Sequence, residues 1–126
     1  MHIHTTIVHS DHDAKTLDSQ LNSLIEKNSF SDKFARNVKL VFEEIILQNL
    51  VPYSEAYYNI YPISVDADYL PEDGSFLINF SYSGMQFDPI EGYLDLSAAI
   101  VRKIADNVDY RYENGVNYLK VLLKQK

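Results

Sequence analysis

Glu43 and Glu44 stand side by side, with Gln48 and Asn49 one helical turn further along. Two adjacent carboxylates are candidates for general-base work, since a positioned carboxylate can take a proton from an attacking hydroxyl or water. The plainer reading makes Glu43 a solvated side chain and puts Glu44 at the edge of an apolar stripe. His2, His4, His9 and His12 form the second candidate group. His2 and His4 share one face of an extended strand, an arrangement that suits metal ligation. No acidic cluster beside them in the sequence completes such a site, so solvated histidines are the expectation. His12 lies between Asp11 and Asp13 and reads as helix-start chemistry. Five tyrosines, Tyr53, Tyr57, Tyr58, Tyr61 and Tyr69, crowd one stretch. They suit either a strand or a partner surface, because a tyrosine offers apolar area with a polar tip.

Several chemistries are excluded outright. The chain has no cysteine, so disulfides, thiolate zinc sites and cysteine nucleophiles are ruled out. It has neither a Gly-x-Ser-x-Gly elbow nor a Walker-type phosphate loop. Its formal charge of −7, from 11 basic and 18 acidic side chains, repels phosphate backbones and anionic membranes. No nucleic-acid or membrane partner is therefore expected. No apolar run is long enough to span a bilayer, and the first residues lack the pattern of a secretory leader, so a cytoplasmic location is expected.

The elements that must position these residues follow from hydrophobic period. His2 to His9 is β-prone and reads as a first strand. After N-cap chemistry at Ser10-Asp11-His12-Asp13, Leu17, Leu21, Leu24 and Ile25 recur at helical spacing, and this helix should fade near Asn28-Ser29. A second helix starts at Ser31 or Asp32 and carries Phe34, Val38, Val41, Phe42, Ile45, Ile46 and Asn49 on one stripe. Residues 56–69 suit a strand, with Pro62 inside it implying an edge position or a bulge. Pro71-Glu72-Asp73-Gly74 is a turn, and Ser75 to Ser81 is the returning strand. Residues 84–92 form a loop. Asp95-Leu96-Ser97 opens a third helix with Leu96, Ile100, Ile104 and Val108 as its apolar set. Tyr110 to Tyr112 and Val116 to Leu123 make a hairpin about Asn114-Gly115, the dipeptide best suited to a two-residue turn. The 126 residues form one domain (1–126) of the α+β class, ordered β-α-α-β-β-α-β-β. Helices should cover one face of a mixed, mostly antiparallel sheet in a two-layer sandwich.

Three stretches carry a family resemblance. The second helix reads Leu40-Val41-Phe42-Glu43-Glu44-Ile45-Ile46-Leu47-Gln48-Asn49, which resembles the N-box helix of the GHKL, or histidine-kinase-like, ATPases. Gly84-Met85-Gln86-Phe87-Asp88-Pro89 resembles the end of that family's Asp-x-Gly-x-Gly motif. Its Phe-Asp-Pro is a companion in the branch of bacterial anti-sigma factor serine kinases. Ile100 to Tyr110 resembles the helix and strand entry of the same branch. The resemblance spans nearly the whole chain and implies a Bergerat-type sandwich holding ATP and Mg²⁺.

Residue by residue, the resemblance assigns the catalytic glutamate to Glu44 and the Mg²⁺-holding asparagine to Gln48, one methylene longer. The adenine-reading aspartate falls at Tyr82, a phenol that would fill the pocket where the ring should lie. Gly84 fits the first motif glycine, the second falls at Gln86, and Asp88 follows in the same motif. The lid glycines fall at Asp95 and Ser97. A phosphate cradle needs bare amides and small residues, and an aspartate there repels a triphosphate. The substitutions all point toward weakened or lost ATP binding. The resemblance thus implies an anti-sigma-factor-like regulatory protein that binds a sigma factor or a small antagonist protein and forms a homodimer. The alternative is an active Mg-ATP-dependent protein serine kinase, with Glu44 as base. A third reading is a structural protein whose pocket is filled by side chains such as Tyr82.

Overall fold

A computed structural model of the chain describes residues 2–7, 10–50, 62–90 and 96–125. Its elements run in the order β1 (His2–Ile7), α1 (Ser10–Lys27), α2 (Asp32–Phe42), a π-helical continuation of α2 (Glu43–Leu50), β2 (Ile63–Leu70), β3 (Ser75–Ser83), α3 (Leu96–Ile104), β4 (Asn107–Glu113) and β5 (Val116–Lys124). Among the described residues the fold is α+β, with three helices and one five-stranded sheet ordered β1-β2-β3-β5-β4. All four strand pairings are antiparallel, so the mixed sheet expected from the sequence is corrected. Among the described residues no helix is long and apolar enough to cross a membrane.

Turn chemistry explains the register. Gly74 sits at φ +71 and its amide donates to the carbonyl of Leu70, closing the β2–β3 turn at the expected place. Asn114 and Gly115 both adopt positive φ, +52 and +76, the backbone that a two-residue hairpin with right-handed strand twist requires. Helix starts and stops obey the same local logic. Ser31 caps α2, its hydroxyl accepting from the Phe34 amide at 3.2 Å. Ser29, at φ 53, ends the chain's departure from α1 where the sequence placed it.

The core lies between the helices and one face of the sheet. Leu17, Leu21 and Leu24 of α1 and Val38, Val41, Ile45 and Ile46 of the second helix are buried. They meet Val65, Ala67, Ile78, Phe80, Val121 and other inward strand residues in one cluster. Burial alternates along β2 and β5, as a sheet covered on a single face demands. Rings of Phe30, Phe34, Tyr69 and Phe76 pack edge to face, with Phe30 and Tyr69 centroids 4.6 Å apart.

Four local expectations change. Strand β2 begins at Ile63, directly after Pro62, and it is an inner strand between β1 and β3. Proline there starts a strand and removes no ladder bond. Helix α3 is shorter than its apolar period suggested: Val108 belongs to β4, and Leu96 is 75% exposed, because the helix turns Ala98 and Val101 to the core. Tyr69 is a core residue, 4% exposed, not part of a tyrosine surface. Its companions Tyr53, Tyr57, Tyr58 and Tyr61, and the strand expected from residue 56, lie outside the described residues up to residue 61. Finally, the second helix changes its winding at Glu43, where i→i+5 bonds replace i→i+4.

Candidate functional site

Of the residues that the sequence marked out, Tyr82, Gly84, Gln86 and Asp88 lie at one end of the sheet, where β3 runs into the 84–90 loop. Tyr82 occupies an inward position of β3, opposite Ile63 of β2 and Asn117 of β5. The phenol is 1% exposed. Its hydroxyl donates to the carbonyl of Phe87 in the following loop. A carboxylate at this place could accept a hydrogen bond from a ligand's amino group. The phenol fills the space with its ring and spends its proton on the protein's own backbone.

Asn117 completes the closure. It is fully buried, on the inward register of β5 shared by Leu119, Val121 and Leu123. A buried amide must satisfy two acceptor sites on oxygen and two donor hydrogens on nitrogen. Oδ1 accepts from the Phe87 amide at 2.9 Å and from the hydroxyl of Tyr110. Nδ2 donates to the carbonyls of Tyr82 and Met85, both at 3.1 Å. Around this centre the Gly84 amide donates to the carbonyl of Gly115 at 3.0 Å, and the Tyr112 hydroxyl donates to the carbonyl of Gly84 at 2.7 Å. The loop is thereby stitched to both strands of the β4–β5 hairpin. Asn117 was not anticipated from the sequence. Its signal was there: one polar residue on an otherwise apolar alternating register.

The remaining assigned positions serve the loop or face solvent. Gly84 adopts φ +126, a backbone that favours glycine. Gln86 is exposed. Asp88 is half-buried and its Oδ1 accepts from the Ile90 amide at 3.1 Å, forming a local turn. Arg102 of α3 donates to the carbonyl of Ile90, tying the far end of the loop to the helix. Ser97 is half-buried in the first turn of α3, and Asp95 lies outside the described residues.

On the second helix Glu43 and Gln48 are exposed while Glu44 is half-buried. The π winding alters their relation. In an α-helix Gln48 stands one turn above Glu44, with Asn49 about 100° further round. With i→i+5 bonds the backbone of Asn49 closes the turn that begins at Glu44. The side chain of Asn49, like that of His12 and the whole of His9, lies outside the described residues.

His2 and His4 prove to have carboxylate partners that the sequence reading missed, because those partners lie more than sixty residues away. His2 Nδ1 is 2.7 Å from Asp68 Oδ1, and His4 Nδ1 is 2.9 Å from Asp66 Oδ1. Their ring nitrogens bond the carboxylates directly. Among the described residues no group of three or more His, Cys, Asp or Glu side chains could hold a metal ion.

Surface depressions occur elsewhere. One lies between α1 and the second helix, with Leu17, Leu21, Phe42 and Ile46 among its lining residues. Another crosses the open face of the sheet from His2 to Arg111. Neither is lined by Tyr82, Gly84, Gln48 or Ser97. No family model matches the chain, and no curated protein matches its sequence.

Proposed function

We propose that the chain is a cytoplasmic regulatory binding module of the anti-sigma-factor type, working through protein–protein contact on a GHKL-like scaffold that has lost ordinary Mg-ATP chemistry. The closed knot at Tyr82 and Asn117 supports the loss of nucleotide chemistry, and the exposed apolar side chains beside these positions favour a binding module over a purely structural protein. The position that would read adenine is occupied by a buried ring, and the loop that would face phosphates is bonded to the protein's own hairpin. Large exposed apolar side chains adjoin the same positions. Leu47 lies beside Gln48, Met85 beside Gly84, Leu96 beside Ser97, and Tyr112 bonds the Gly84 carbonyl. Exposed aromatic, methionine and leucine side chains are the material of partner surfaces. A sigma factor or a small antagonist protein is the partner class that the resemblance supplies.

Calorimetric titration with ATP and ADP, with and without Mg²⁺, tests the reading. No heat of binding at millimolar nucleotide is the expected result. Saturable Mg²⁺-dependent binding would overturn it and lead to the kinase alternative, in which Glu44→Ala must abolish phosphate transfer to a protein substrate.

A further inference from the structure

A basic cluster stands out in a chain whose net charge is −7. Three of the 11 basic side chains, Lys33, Lys103 and Lys124, line one surface depression of about 330 Å³ together with Ser31 and Asn37. They come from three elements: the first turn of α2, the last turn of α3 and the end of β5. Lys124 pairs with Ser75 at one end of β3, while Asn117 pairs with Tyr82 at the other. Roughly 24 Å of strand therefore separates the depression from the Tyr82 knot.

The lining is rich in donors and short of acceptors. Among the described residues none of the three ammonium groups has a carboxylate within ion-pair distance. Lys124 lends Asp73 only a lesser, longer-range attraction. The Ser31 oxygen accepts from the Phe34 amide, which leaves its hydroxyl proton to donate outward. The Asn37 side chain has no hydrogen-bond partner among the described residues. The lining carboxylate, Asp106, already accepts from the Lys124 amide at 2.7 Å. Three ammonium groups against one carboxylate leave a surplus of two positive charges. Helix electrostatics explains Lys103 but not Lys33. A cation suits the last turn of α3, whereas the first turn of α2 carries the positive end of a helix dipole and favours an anion. Asp32 is the acid that suits this helix start, and it does not line the depression.

We infer that this depression binds a small, soluble phosphate monoester. A phosphate group carries about −1.5 to −2 charges at neutral pH and three acceptor oxygens, which match the surplus charge and the waiting donors. Lysines surround a phosphate as point charges, whereas a planar carboxylate is better matched by the fork of an arginine. Phe34 and Ile104 supply the apolar part of the lining, which the organic portion of an ester covers and a bare ion does not. The volume lies at the lower end of ligand pockets, so it admits a phosphate with a body no larger than a phenyl ring. All three lysines are exposed, which makes the site weak and salt-sensitive, with a dissociation constant on the order of 1 mM in low salt. This inference rests on the lining of the depression and is independent of the regulatory reading.

Titration of the isotopically labelled full chain with phenyl phosphate in low salt, followed by amide NMR shifts, tests it. Amides of residues 31–37, 103–106 and 124 should move along one saturating curve, while those of residues 84–90 stay in place. Inorganic phosphate should bind about threefold more weakly or worse, because it leaves Phe34 and Ile104 uncovered. Lys33→Glu should weaken phenyl phosphate about tenfold or more, and Lys103→Gln about threefold. Lys33→Glu places an acid at a helix start, so its loss of binding cannot come from a weakened helix. Lys120→Glu makes the same change in net charge on the outer face of the sheet, and should leave the affinity within about twofold of wild type. The spectra themselves report whether each variant is folded. The inference is overturned by shifts that do not saturate by about 20 mM ester or that centre on residues 84–90. It is equally overturned if Lys120→Glu weakens binding as much as Lys33→Glu, or if inorganic phosphate binds as tightly as the ester.

Discussion

The two faces of the sheet are built from the same five strands and held by different physics. The inward rows bury Ile63, Val65, Phe80, Tyr82 and Val121 at 0–1% exposure against the helices. The outward rows carry imidazoles, carboxylates, lysine and arginine that remain about half exposed, Asp66 at 40% and Arg111 at 57%. Apolar burial is worth about 25 cal/mol per Å², and a well-packed interior leaves little room to rearrange. An exposed ion pair contributes about 0–1 kcal/mol. Changes on the inner face should thus unfold the protein, while changes on the outer face should alter what it meets. Asn117 is the informative exception, a polar side chain on the inner face whose four hydrogen bonds hold a loop.

The largest expected effect is on the inner face. Phe80→Ala removes a ring 5.9 Å from that of Phe42, in the middle of the core, and should cost about 3–5 kcal/mol in chemical denaturation. Asn117→Leu preserves volume but strands the Phe87 amide, the Tyr110 hydroxyl and two carbonyls. A buried group left unpaired costs about 1–3 kcal/mol, and the loop can expose some of the four to water, so a total of about 2–4 kcal/mol is expected. A loss below roughly 0.5 kcal/mol would mean that the loop is not held by this residue. The same variant should make amides of residues 84–90 exchange faster than those of β3, a measurement that separates loop release from general loosening.

The contrast between faces also explains what could be read from the sequence. Helices α1 and α2 were legible because Leu17, Leu21 and Leu24, and Phe34, Val38 and Val41, repeat at helical spacing between recognisable caps. Both hairpin turns were legible because Gly74 and Asn114-Gly115 are needed for their backbone. Three things were not. The His–Asp contacts depend on β1 pairing with β2, which no local pattern encodes. The π winding at Glu43 leaves the apolar stripe intact and so gives no periodic signal. The end of α3 was misplaced because Val108 continues a helical period while its burial comes from a strand. At the candidate site, Tyr82 was singled out by the family resemblance, whereas Asn117 showed in the sequence only as one polar residue on an apolar alternation, and its bond to the Tyr82 carbonyl follows from the strand register.

On the outer face the expected effects are smaller. His4→Ala removes one exposed contact to Asp66, and should cost less than about 1 kcal/mol in urea denaturation. A cost above 2 kcal/mol would show that edge strand β1 depends on its imidazoles, and the division between the faces would fail there.

The smallest effect lies at the rim, where the two faces meet in the β2–β3 turn. Asp73 Oδ1 accepts from the Ser75 amide at 3.0 Å. Its carboxyl is held below its ordinary 3.8, first by a hydrogen bond to the Ser75 side chain and then by the Ser75 amide, with Lys124 adding a lesser attraction. A depressed carboxylate stabilises the fold at pH values above its unfolded pKa. That contribution falls away as the pH drops below 3.8 through the folded value. Because the carboxylate is fully exposed, solvent screens the interaction. Asp73→Asn retains an oxygen acceptor but has no proton to gain. Urea midpoints of wild type and variant should therefore differ by a constant amount from neutral pH to about pH 5, then converge as the pH falls below the ordinary carboxylate range. A difference that grows on acidification would have the wrong sign, and would assign the turn's stability to its backbone, the glycine at +71 and the Leu70 carbonyl, with no share for the carboxylate.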